Sequence, residues 1–150
     1  MLKNKIIYGD CLEKLKDRSI FPDDSIDLIV TSPPYADKRA NNYPTISSKD
    51  YVIWFLKISE ELKRILKPRG SFILNIKEHV VDFQRQTYTY ELVLALKDQG
   101  WMWIEEYCWY KKTSFPGKWK TRFRDNWERC YHFSKQRNLN FYHESVAVPI

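Results

Sequence analysis

Apolar positions along the chain switch between the alternating or continuous pattern of strands and the three-and-four spacing of helices. The run Ser25–Thr31 is short, mostly apolar and rich in β-branched residues, which is typical of a buried parallel strand. The predicted elements, in chain order, are a strand at 6–8, a helix at 11–16, a strand at 25–31, a helix at 52–66, a strand at 71–76, a helix at 90–97 and strands at 101–110 and 127–133.

Helix-terminating residues lie between these segments. Asp50 can cap the second helix, Pro68 and Gly70 can end it, and Gly100 can close the third. Strands separated by helices predict parallel βαβ units with helices on both faces of a sheet. Since no internal repeat or linker interrupts residues 1–150, we expect one α/β domain with three layers and a mostly parallel sheet.

Composition fits a folded domain, since 43% of the 150 residues are hydrophobic and 29% are charged. No apolar stretch is long enough to span a bilayer, and the first residues contain no signal-like apolar core. Cys11, Cys108 and Cys130 are widely spaced, and neither they nor the three histidines form a metal-binding spacing. The sequence therefore predicts a cytoplasmic protein with reduced thiols, no membrane segment and no metal site.

Net charge and glycine content narrow the function. The chain carries +6 at pH 7 and 16% aromatic residues, a balance that suits contact with nucleic acid. Its four glycines are all more than ten residues apart, so these 150 residues contain no glycine-rich phosphate loop.

The predicted strand at 25–31 ends abruptly in Ser32, Pro33, Pro34 and Tyr35. Two prolines in series fix the backbone, and ligands of open α/β sheets bind beyond the carboxyl ends of strands. The Ser32 hydroxyl and the Pro33 carbonyl could accept hydrogen bonds from the exocyclic amine of a base, while Tyr35 stacks on its ring. The alternative is an ordinary Pro-Pro turn with a surface tyrosine.

A second candidate region is basic and aromatic, and residues 111–124 contain no acid. Cations for phosphates and rings for an unstacked base are the two components of binding to an extrahelical nucleotide. The alternative is a solvated charged face. The candidate DNA contacts are Lys38, Arg39, Trp109, Tyr110, Lys111, Lys112, Lys118, Lys120, Arg122 and Arg124.

Several segments in order resemble the DNA amino-methyltransferases, which methylate adenine N6 or cytosine N4. They are Gly-Asp-Cys-Leu-Glu-Lys-Leu from Gly9, the strand ending in Ser-Pro-Pro-Tyr, Leu-Lys-Pro-Arg-Gly-Ser-Phe from Leu66, Trp-Tyr-Lys-Lys from Trp109, and Trp-Glu-Arg-Cys-Tyr-His-Phe-Ser-Lys from Trp127. The order is similar to the circularly permuted group whose catalytic half comes first. The serine at the head of the tetrapeptide resembles the cytosine-N4 members.

The resemblance implies a Rossmann-like methyltransferase sheet, an S-adenosylmethionine donor and a base flipped out of double-stranded DNA. It places Asp10 near the adenine of the cofactor, although Asp10 could equally cap the helix that starts at Cys11. It also implies that Trp109 or Tyr110 covers the second face of the base. Asn75 stands where some cytosine-N4 members have an acid, so its role stays open.

The glycine loop of the family, Phe-x-Gly-x-Gly, and most of its target-recognition region have no match in residues 1–150. The sequence therefore predicts the catalytic half of a methyltransferase, completed by a complementary subunit or by self-association. The alternatives are an adenine-N6 enzyme, a non-catalytic DNA-binding or regulatory chain, and an enzyme that modifies protein or RNA amides.

Overall fold

The computed structural model describes residues 4–37, 46–113 and 120–148. Its elements are α1 (Cys11–Lys16), β1 (Ile26–Thr31), α2 (Tyr51–Ile65), β2 (Leu66–Ile76), β3 (Val80–Val81), β4 (Gln84–Arg85), α3 (Tyr88–Asp98), β5 (Met102–Tyr110), β6 (Trp127–Ser134) and a short 3-10 helix (His143–Ser145). Within these ranges no helix is both long and apolar enough to cross a membrane. The β3–β4 hairpin and the 3-10 helix were not predicted, and the other elements match predicted segments.

The main sheet has the strand order β1-β2-β6-β5. β1 and β2 are parallel and are joined through α2, as a βαβ unit requires. β6 is antiparallel to both β2 and β5. Because β5 and β6 follow one another without a described helix between them, they can pair as an antiparallel ribbon. The described sheet is thus mixed, and the expected predominance of parallel pairing is not observed in it.

The core lies between the sheet and one layer of helices. Phe72, Leu74 and Ile76 of β2 are fully buried, and α2 packs against both α1 and α3. On the opposite sheet face, Leu28 and Val30 of β1 are 56% and 66% exposed. The second helical layer that the sequence predicts is not among the described residues, which leaves this face open at β1.

The predicted strand at 6–8 is not formed in the described sheet. Ile6 and Tyr8 are almost fully exposed, and β1 is the edge strand of its sheet. A strand is stabilised only by pairing with a neighbour, so an apolar run without such a partner stays extended in solvent.

The junction between α2 and β2 also differs from the prediction. The strand begins at Leu66, directly after the helix, so Pro68 and Gly70 lie within β2. A Cβ at Gly70 would lie 2.8 Å from the carbonyl oxygen of Asp27, so this glycine permits close approach of two strands. Asp50 makes no side-chain cap to α2, because its carboxylate accepts a hydrogen bond from Ser47.

Candidate functional site

The Ser-Pro-Pro-Tyr turn leaves the carboxyl end of β1 and is held from the helical layer. Pro33 is buried, and the Tyr51 hydroxyl donates a 2.7 Å hydrogen bond to the carbonyl of Pro34. The ring of Tyr51 lies 4.8 Å from that of Tyr88, whose hydroxyl donates to the carbonyl of Lys77 at 2.8 Å. Two buried tyrosines from α2 and α3 therefore fix a turn that is already rigid through its prolines.

The last residue of the turn is held by a chain of hydrogen bonds. The Tyr35 hydroxyl donates to Oε2 of Glu128 at 3.1 Å, and the Ser32 hydroxyl hydrogen-bonds the Tyr35 oxygen. Burial, together with the charge of Glu128, raises the pKa of Tyr35 to about 12, so the phenol remains a donor at neutral pH. A serine that donates its proton to Tyr35 keeps its lone pairs for accepting a hydrogen bond.

Glu128 on β6 is the main residue of the site that sequence reasoning missed. Its side chain is 13% exposed, and Oε1 accepts a 2.5 Å hydrogen bond from Nζ of Lys111. Burial favours the neutral acid, but the bond and charge of Lys111 lower the pKa of Glu128 below its ordinary value, so the carboxylate is ionised. It lies inside the family-like segment from Trp127, yet nothing in the sequence pairs it with Tyr35 or Lys111.

Asn75 lies beside this carboxylate at the end of β2. Its amide donates to the carbonyl of Arg129 at 3.0 Å and also hydrogen-bonds the side chain of Glu128. The acid that some cytosine-N4 members carry at this position is thus replaced here by an amide next to a carboxylate from the neighbouring strand.

The strand register separates the two aromatic candidates at the end of β5. Trp109 pairs directly with Glu128, whereas Tyr110 pairs with Trp127. Directly paired residues share a sheet face and successive residues alternate, so Trp109 is on the face of Glu128 and Tyr110 is on the other. Nζ of Lys111 lies 4.7 Å from the ring centroid of Trp109. Trp109 is therefore the candidate that adjoins Tyr35 through shared contacts.

The basic candidates fall into three groups. Lys111 is paired with Glu128, and Arg122 lies 3.3 Å from a carboxylate oxygen of Asp125, so both are engaged within the protein. Exposed positions are occupied by Lys112, Lys120 and Arg124. Lys38, Arg39 and Lys118 lie outside the described residues.

Asp10 combines two roles that the sequence left open. Its Oδ1 accepts a 3.1 Å hydrogen bond from the backbone N–H of Glu13, so it does cap α1. It also lines a cavity of about 580 Å³ together with Gly9, Ser32 and Pro34. The cavity is of the size that binds small molecules, and it joins the capping aspartate to the Ser-Pro-Pro-Tyr turn.

We expect the Tyr51→Phe substitution to destabilise the chain by about 1–3 kcal/mol, because it leaves the Pro34 carbonyl without its buried donor. Urea unfolding followed by tryptophan fluorescence measures the change. Tyr142→Phe removes the hydroxyl of a tyrosine that is 74% exposed and should leave the midpoint unchanged. Equal stability of the Tyr51→Phe variant and the wild type would contradict this account of the turn.

A sequence model of the N6_N4_Mtase family, described as DNA methylase, matches residues 26–150. The type II methyltransferase M.PvuII of Proteus hauseri is 32% identical over 85% of this chain. The solved structure of the PvuII DNA methyltransferase (cytosine-N4-specific) superposes with a TM-score of 0.73 at 30% identity, over 87% of this chain. The DNA modification methylase TTHA0409 of Thermus thermophilus, complexed with S-adenosyl-L-methionine, shares the fold over 94% of this chain, with a TM-score of 0.65 at 21% identity.

The chain spans less than two thirds of each of these proteins. It covers 40% of M.PvuII, 48% of the PvuII methyltransferase structure and 58% of TTHA0409.

Proposed function

Because the chain belongs to the N6_N4_Mtase family of DNA methylases, we propose that it is the target-base part of a site-specific DNA methyltransferase. The enzyme would transfer a methyl group from S-adenosylmethionine to the exocyclic amine of a flipped base, with cytosine N4 as the favoured target. Within a cell it would act on cytoplasmic DNA in a restriction–modification or related marking system.

The observation that carries this proposal is the fixed turn at the end of β1. Such an amine is a weak nucleophile because its lone pair is delocalised into the ring. Hydrogen bonds from its N–H groups to fixed acceptors, here the Ser32 hydroxyl and the Pro33 carbonyl, would favour a tetrahedral nitrogen with a localised lone pair. Tyr35 offers a ring for stacking, and its hydroxyl is held by Glu128. These residues position the amine, and positioning is most of what direct methyl transfer requires.

Cytosine N4 is favoured by two observations. The turn begins with serine, as in the cytosine-N4 members that the sequence resembles, and a solved cytosine-N4-specific methyltransferase superposes on 87% of the chain. Adenine N6 remains the alternative target, and identification of the methylated nucleoside distinguishes the two.

The cavity at Asp10 fits one edge of an S-adenosylmethionine site. One oxygen of Asp10 caps α1, and its carboxylate can still accept from the amino group of an adenine. Trp54 and Phe55 of α2 contribute an apolar wall. When bound, the cofactor supplies an electrophilic methyl group on a sulfonium. The residues of this chain would hold its adenine end and present the base amine from Ser32.

The rest of the cofactor site would come from a complementary polypeptide, fused or separate, that carries the Phe-x-Gly-x-Gly loop. Two features of the described residues support this. β1 is the edge strand of its sheet, and it exposes Leu28 and Val30. Unpaired apolar edges are sites of strand addition. The greater length of the matched relatives agrees with such a second part.

Contact with double-stranded DNA would use the exposed basic residues. Lys112, Lys120 and Arg124 are suited to phosphates, and Phe123 is 96% exposed beside them. Lys111 and Arg122, which the sequence proposed for the same role, are assigned instead to positioning because acids of the protein already hold them.

The test combines the chain with the polypeptide that carries the glycine loop, either as a complex or in one chain. Duplex DNA is incubated with methyl-labelled S-adenosylmethionine, and the DNA is digested to nucleosides for mass spectrometry. We expect N4-methyldeoxycytidine, and we expect Ser32→Ala to lower the rate about 10-fold or more through loss of one acceptor. Ser19→Ala, at an exposed turn distant in sequence from the site, is the matched control.

Three other results would each revise the proposal. N6-methyldeoxyadenosine would move the target to adenine. No methylated base, with DNA binding retained, would indicate a non-catalytic DNA-binding or regulatory chain. Full activity in Ser32→Ala would remove Ser32 from the site.

A further inference from the structure

We propose that the ion pair of Glu128 with Lys111 is a positioning element that holds Tyr35 and Trp109 as two walls of one base pocket. The inference rests on the proposed function in one respect, namely that a base enters between these rings. Neither residue of the pair touches the reacting atoms in this account. Their role is to fix the two aromatic side chains relative to one another.

The contacts run continuously from one ring to the other. Tyr35 donates to Oε2 of Glu128 at 3.1 Å, Oε1 of Glu128 accepts from Lys111, and Nζ of Lys111 lies 4.7 Å from the ring centroid of Trp109. The rings come from distant parts of the chain, one after β1 and the other near the end of β5. The two charged side chains are the described link between them.

The backbone around this pair is itself restrained. Trp109 and Glu128 are directly paired across β5 and β6, and the N–H of Lys111 donates to the carbonyl of Asn126 at 2.6 Å. Glu128 is largely buried and Lys111 is 35% exposed, so the pair is shielded from solvent on the carboxylate side. An ion pair with good geometry and fixed backbones loses little further conformational freedom, which makes it suitable for positioning.

A purely structural role for this pair is less consistent with its surroundings. Carboxylates that only stabilise a fold are satisfied by strand and loop neighbours, as Glu106 is by Arg129 at 3.1 Å. Glu128 is bonded instead to the last residue of the Ser-Pro-Pro-Tyr turn and to the cation over Trp109. Both of its oxygens are thus committed to the two candidate walls.

The first test reads the position of Tyr35 without requiring activity. The 150-residue chain is labelled with 13Cζ-tyrosine, and the Tyr35 resonance is assigned by its loss in Tyr35→Phe. We expect Glu128→Gln to shift the Tyr35 resonance, and Lys111→Met to shift it in the same direction. Glu106→Gln, a matched carboxylate on β5 that contacts neither ring, should leave it in place. An unmoved Tyr35 resonance in Glu128→Gln would overturn the proposal.

The second test uses the complete methyltransferase. Each of Glu128→Gln and Lys111→Met should lower kcat about 10-fold with little change in KM for DNA, since misplacing a positioning group slows the reaction whereas phosphate contacts dominate DNA affinity. The double variant should be no slower than either single one, because both changes remove the same link. Additive losses, or a change confined to KM, would contradict a shared positioning role.

Failure of this inference and of the proposed function are distinguishable. A wild-type enzyme that methylates no base refutes the proposed function, while the tyrosine resonance still decides whether Glu128 and Lys111 position Tyr35. An active wild type with an equally active Glu128→Gln variant refutes the inference alone.

Discussion

Replacement of Tyr35 by alanine is expected to lower kcat/KM for methyl transfer about 100-fold. Stacking of a base on an aromatic ring contributes about 1–3 kcal/mol, and each 1.4 kcal/mol corresponds to about a factor of ten in rate. The substitution also leaves Oε2 of Glu128 without the hydroxyl that it accepts from, which loosens the carboxylate. The loss should therefore exceed the effect of stacking alone.

Two variants separate the ring from the hydroxyl. Tyr35→Phe keeps the ring and should retain most of the activity, with a loss of several-fold through the missing bond to Glu128. Tyr142→Ala removes a tyrosine that is 74% exposed and has no contact with the turn among the described residues, so its rate should match the wild type. A Tyr35→Ala variant with wild-type kcat/KM would exclude Tyr35 as the stacking platform.

Replacement of Phe72 by alanine is expected to destabilise the chain by about 3–5 kcal/mol, the usual cost of removing a buried phenyl group. Phe72 is fully buried at the centre of β2, 5.1 Å from the ring of Trp101 and 5.7 Å from that of Phe133. Since domains of this size unfold at about 5–15 kcal/mol, the variant would lose a large part of its stability.

Urea unfolding measures this change, and fluorescence of Trp101 reports it directly because that ring contacts Phe72. The matched control is Phe123→Ala, since Phe123 is 96% exposed and its removal should change stability by less than about 0.5 kcal/mol. A smaller loss in Phe72→Ala than in Phe123→Ala would mean that the sheet does not pack on α2 and α3 as described.

The tetrapeptide was predictable because its chemistry is local. A strand-like run that stops at two prolines fixes its own backbone, and Ser32 and Tyr35 flank it whatever the rest of the chain does. The cap at Asp10 was predictable for the same reason, as it concerns residues within one helical turn. The order of the segments was enough to indicate the family.

The roles of the charged residues were not predictable in this way. Lys111 and Arg122 belong to a basic stretch without acids, which indicated contact with phosphates. In the structure their acids come from other segments, Glu128 across a strand pair and Asp125 after the loop. Whether a cation is free for a ligand depends on which carboxylate lies opposite it, and a linear charge pattern does not contain that information.

The sequence by itself determined the elements, the rigid turn, the basic and aromatic region and the resemblance to the DNA amino-methyltransferases, because each follows from residues that are close in the chain. Only the tertiary structure decided that the sheet is mixed, that Trp109 and not Tyr110 shares a face with Glu128, and that Glu128 joins Tyr35 to Lys111. Strand direction and register bring together side chains that are about 20 to 90 residues apart, and a shift of one position would turn them to the opposite face.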